Sequence, residues 1–108
     1  MEISIKHQNE LILELKGRLD TNTSVELENA LKDEIKENLV ILDFKDLEYI
    51  SSSGLRVLLS LRKRLDSLNK KLEIHNINSV VKEVFTVTGF INILDIKWCD
   101  LNAYIYSY

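Results

Sequence analysis

Hydrophobic and polar positions alternate at both ends of the first twenty residues. Ile3 and Ile5 are separated by polar residues, which predicts a short strand, and Leu11-Ile-Leu-Glu-Leu15 predicts a second. Asn9-Glu10 between them supplies a turn, so the two strands read as a hairpin. Gly17 near the end of the second strand marks a bulge or a close backbone approach. The period then changes from two to about three and a half. Leu27, Leu31 and Ile35 recur at helical spacing with Ala30 beside them, and Glu26, Glu28, Asp33, Glu34 and Glu37 form an acidic outer face. The polar connection Asp20–Ser24 before that helix offers N-cap candidates, and Thr23 followed by Glu26 matches capping-box spacing.

Leu39–Phe44 is an apolar run interrupted by Asp43, as expected of a buried strand, and Lys45–Tyr49 reads as a loop. A second helix is predicted from about Ser53, with Leu55, Leu58, Leu59, Leu65 and Leu68 on helical spacing and Asn69 at its end. Lys71–His75 alternates as a strand. Asn78-Ser79 caps a third helix carrying Val81, Val84, Phe85 and Thr88 on one stripe, with Gly89 as its terminator. Ile91–Ile96 reads as a last strand, and Asp100–Tyr108 as either a short helix or an extended tail. The order β-β-α-β-α-β-α-β, with a possible C-terminal helix, predicts a single α/β domain. Its sheet is mixed but mostly parallel, with helices packed against it.

Composition narrows the function. The 108 residues suit one domain spanning 1–108, and 45% apolar residues suffice for a core. Cys99 is the one cysteine, so no internal disulfide forms; beside Trp98 it reads as a small apolar filler. No apolar run approaches a membrane span and no signal peptide is visible, so a cytoplasmic protein is expected. Residues 1–50 hold 6 Lys and Arg against 12 Asp and Glu, whereas residues 51–108 hold 8 against 5. The chain as a whole is acidic, and Arg62-Lys-Arg64 with Lys70 and Lys71 lacks interleaved aromatic residues. Direct nucleic-acid binding is not expected, and the basic run reads as a solvated helix end that complements its dipole.

Catalysis finds little support. Ser51-Ser52-Ser53 lacks the glycine-flanked elbow of serine hydrolases, and no phosphate-binding glycine loop exists. His7 and His75 lie on predicted strands without metal-spaced neighbours and read as structural. An enzyme, a metal site or a bound cofactor is therefore not expected. The serine run itself sits at a strand-to-helix junction, where free backbone N–H groups and the helix dipole suit either a capping hydroxyl or a phosphoryl group. Three serines followed by Gly54 exceed what one cap needs, and the glycine would let a partner approach.

Asp43-Phe-Lys-Asp-Leu-Glu-Tyr-Ile-Ser-Ser-Ser-Gly-Leu55 resembles the signature of STAS domains, in particular the bacterial anti-sigma factor antagonists, through Asp43, Leu47, Ile50, Ser52, Gly54 and Leu55. Gly17-Arg-Leu-Asp20, with Thr21 and Thr23, resembles the family element before the first helix. The resemblance extends over nearly the whole chain. It implies a phosphoacceptor two residues before the glycine, at Ser52, with Ser53 the second choice. It also implies two partners: an anti-sigma factor that is a serine kinase and binds the unphosphorylated form, and a PP2C-type phosphatase that resets the switch. Asp20, Thr21, Thr23, Ser51, Ser53, Gly54 and Leu55 are the expected docking rim. Some family members carry Asp where this chain has Ser51. The alternative is a stand-alone STAS scaffold subunit of a transport or stress-signalling complex.

Overall fold

A computed structural model describes residues 1–97. Strand β1 (Glu2–His7) pairs antiparallel with β2 (Leu11–Leu19), setting Ile3 opposite Leu15 and Ile5 opposite Leu13. Strands β3 (Leu39–Ile50), β4 (Lys71–His75) and β5 (Asp95–Lys97) follow in parallel, giving the spatial order β1-β2-β3-β4-β5. Helices α1 (Thr21–Ala30), α2 (Ser52–Ser67) and α3 (Ser79–Thr88) make the three crossovers. Every crossover steps the same way along the sheet, and right-handed connections then put all three helices on one face. The burial pattern agrees. Leu11, Leu13, Leu15, Val40, Leu42, Phe44, Leu72 and Ile74 are buried, while the intervening Ile12, Glu14, Asp43, Glu73 and His75 are half-exposed.

Helix α2 anchors this core with Leu55, Val57, Leu58, Leu61 and Leu65. Each fully buried leucine stabilises by about 1.5–3 kcal/mol over an exposed one, so α2 cannot leave the sheet without large loss. Helix α3 docks through Phe85, whose ring lies 6.4 Å from that of Phe44. Asn78 caps α3 by accepting from the Val81 amide, and Gly89 ends it at φ 82°, both as the sequence predicts.

Four expectations need correction. Strand β3 does not stop at Phe44 but runs through Lys45–Tyr49 to Ile50, which lengthens β2 to Leu19 beside it. Helix α1 ends at Ala30, before Leu31 and Ile35, although both are buried. The chain there is tied by cations: Arg64 donates to the Leu31 and Asp33 carbonyls and Lys70 to that of Ile35. These basic residues are therefore structural donors rather than freely solvated charges. Finally, Phe90–Asn92 forms a 3-10 turn, and β5 begins only at Asp95. Trp98, Cys99 and the tail Asp100–Tyr108 lie outside the described residues.

Candidate functional site

Strands β2 and β3 end level, Leu19 beside Ile50. The Ser51 amide donates to the Leu19 carbonyl at 2.9 Å, which locks the two strand ends together. Each strand is followed at once by a helix, so the N-termini of α1 and α2 emerge side by side at one rim. Two sets of unpaired N–H groups and two partial positive charges therefore meet there.

The two ends are capped differently. At α1 the Asp20 carboxylate accepts from the Asn22 and Thr23 amides, both at 3.1 Å, and Thr23 Oγ1 accepts from the Asp20 amide at 2.8 Å. The capping box is thus Asp20 with Thr23, not Thr23 with Glu26. The Thr23 amide, foremost among the hydrogen bonds to it, holds the Asp20 carboxyl below its ordinary value, helped by the Arg18 charge. Thr23 Oγ1 also donates to the Arg18 carbonyl at 2.6 Å. Both side chains are half-buried and serve the local fold.

At α2 the three serines divide the work. Ser51 is the cap, its Oγ accepting from the Gly54 amide at 3.3 Å. Ser53 Oγ pairs with Thr21 Oγ1 at 3.1 Å, joining the two junctions. Ser52 is exposed, and among the described residues its hydroxyl engages nothing. The sequence order suggests the opposite roles for the outer pair, with Ser53 as cap and Ser51 reaching to the neighbouring connection. The swap follows from β3 running to Ile50, which starts α2 one residue earlier, at Ser52.

Two residues expected on the docking rim are not available to a partner. Leu55 is buried in the core. Gly54 is buried too, and a Cβ there would lie 2.8 Å from Ile50 Cγ1, 2.9 Å from Leu19 Cγ and 3.0 Å from the Leu19 carbonyl oxygen. Its missing side chain makes room for the β2 terminus, not for a second protein. Thr21 and Ser53 stay at the surface. They line a groove of about 190 Å³ between α1 and α2 with Val25, Glu28, Arg56 and Ser60. Val25, half-exposed, and Arg56, exposed, went unnoticed in the sequence. Helical spacing from Ser52 to Arg56 is the signal that finds the second.

His7 and His75 each donate to a carboxylate, Glu37 at 2.6 Å and Glu73 at 2.9 Å. Among the described residues no three His, Cys, Asp or Glu side chains form a metal-holding group, and no helix is long and apolar enough to cross a membrane.

A one-layer helical cover on a mixed sheet, with two helix N-termini and a free hydroxyl at a shared rim, defines a small α/β module. The chain belongs to the STAS domain family, whose model matches residues 2–102. It is similar to BtrV of Bordetella bronchiseptica, a candidate anti-sigma factor antagonist, with 35% identity over 88 residues, 80% of this chain and 76% of that one. It is 29% identical to the anti-sigma F factor antagonist of Paenibacillus polymyxa over 101 residues, 90% of this chain and 86% of that one. Among solved structures, the anti-sigma factor antagonist SpoIIAA in its unphosphorylated form superposes with a TM-score of 0.79 at 17% identity, covering 96% of this chain and 93% of that one. Bacillus SpoIIAA in the phosphorylated form gives 0.69 at 16%, covering 99% and 100%.

Proposed function

We propose that this chain is an anti-sigma factor antagonist switched by phosphorylation of Ser52. Unmodified, it binds an anti-sigma factor that is also a serine kinase, and so frees a sigma factor. The kinase transfers the γ-phosphoryl group of ATP to Ser52 Oγ, leaving ADP, and the modified protein is released. A PP2C-type phosphatase hydrolyses the phosphoester and restores binding. One observation carries the choice of residue: Ser52 alone of the three serines combines exposure with a hydroxyl that is not already in use. The names of the relatives support the class of partner.

The energetics fit a switch that acts on binding, not on folding. A phosphoryl group adds about −1.5 to −2 charge at neutral pH. At the exposed N-terminus of α2, which has no acidic residue in its first turn, the dipole favours that charge by about 0.3–1 kcal/mol. Beneath a partner surface with no cation to meet it, the same charge costs several kcal/mol, or orders of magnitude in affinity. Thr21, Ser53 and the groove beside them provide the surface such a partner covers.

The test is a pull-down from native lysate to obtain the kinase, then phosphorylation with ATP read by tandem mass spectrometry. One phosphoryl group on Ser52 is expected. Ser52→Ala should bind the partner and resist modification. Full phosphorylation of Ser52→Ala would move the assignment to Ser53 or Ser51.

A further inference from the structure

We infer that Arg56 is the internal counter-ion of a phosphoryl group on Ser52, folding back along α2 to hold it. This rests on the reading of Ser52 as the acceptor. The observation behind it is an arginine with nothing to do. The other three arginines of the chain are engaged: Arg18 lies over the Tyr49 ring at 4.6 Å, Arg62 pairs with Asp66 at 3.1 Å, and Arg64 donates to the Leu31 and Asp33 carbonyls. Arg56 is exposed and, among the described residues, makes no ion pair and no hydrogen bond. Glu28 lines the same groove, yet the two do not pair.

Its position explains the use. Ser52 and Arg56 are i and i+4 on one helix, so they are neighbours on its surface. Helical side chains lean toward the N-terminus, which carries a long guanidinium at 56 back over the turn that begins with Ser52. The order is also the favourable one, with the anion N-terminal to the cation. A guanidinium matches phosphate oxygens with two parallel N–H donors. Arg56 borders the same groove as Thr21 and Ser53. Once drawn onto the phosphoryl group, it is withdrawn from that groove. Modification then changes two groups of the docking surface: it adds an anion and occupies a cation.

Phosphoserine placed at position 52 by suppression of an amber codon tests this without any kinase. The second ionisation of the phosphoryl group is followed by phosphorus NMR titration. Arg56→Gln is expected to raise its midpoint by about half a pH unit, since a nearby opposite charge favours the dianion. Arg56→Lys should restore part of that difference, and high salt should shrink it. Arg62→Gln, a control further along the helix, should leave the midpoint unchanged. Equal midpoints for the unsubstituted protein and Arg56→Gln would overturn the inference, as would an equal response to Arg62→Gln. The outcome is independent of which serine a kinase selects, so mass spectrometry and this titration fail separately.

Discussion

A methyl group at position 54 meets three atoms at 3.0 Å or less, one of them the carbonyl oxygen to which the Ser51 amide donates. Gly54→Ala gains at most about 1 kcal/mol of helix propensity. Overpacking costs about 1–3 kcal/mol, and backbone cannot give way as a flexible side chain can. Net destabilisation is therefore expected in urea denaturation, and stability at or above that of the unsubstituted protein would contradict it. From the sequence, the missing side chain of Gly54 reads as room for a partner to approach. The structure gives that space to the fold instead: one crowding atom belongs to Ile50, and the other two to Leu19, thirty-five positions away in the chain. No local pattern reveals such a neighbour. The exposure of Ser52, by contrast, depends only on the turn it begins, and the spacing from Ser52 to Arg56 one turn later is equally local.

Elements were read best where one period rules them. Helices α2 and α3 and strand β4 follow their apolar spacing closely. Strand β3 did not: beyond Phe44 its buried residues are Leu47 and Ile50, three apart, and the pairing with β2 shifts register there. An irregular strand loses the period of two that identifies it. Helix α1 failed in the opposite sense, since Leu31 and Ile35 keep helical spacing while the backbone has left the helix. Its start makes a pH prediction. The Asp20 carboxyl is held below its ordinary value by the α1 amides, so its stabilising effect is full above the usual carboxylate range. That effect is lost as the pH falls through the lowered value. Asp20→Asn keeps a capping oxygen without the charge. Its melting temperature should lie below that of the unsubstituted protein at neutral pH, and the gap should close on acidification. A gap that widens in acid would contradict the assignment.

At the scale of the whole molecule, the proposed phosphoacceptor lies where the sheet's geometry isolates it. Ser52 stands outside the core, while Ser51, Gly54 and Leu55 around it hold the junction. On the proposed reading, a phosphoryl group there would meet solvent, the α2 dipole and Arg56. None of these requires a helix or strand to move. Phosphoserine at 52 is accordingly expected to shift backbone amide NMR signals at the two junctions, residues 20–25 and 50–57, and to leave β1, β4 and α3 in place. Comparable shifts in β1 or α3 would mean a change of fold, not of surface charge.

The crowding around Gly54 bears on how genomes are searched for such switches. In this chain Gly54 is pressed against the end of the neighbouring strand, where two helices come out together at one rim. That contact exists whether or not the chain is regulated. The glycine therefore reports on architecture. The hydroxyl two positions earlier carries no packing duty and can be lost without harm to the scaffold. On the proposed reading, a homologue that keeps the glycine but places alanine at the serine would retain the scaffold and still be deaf to a kinase.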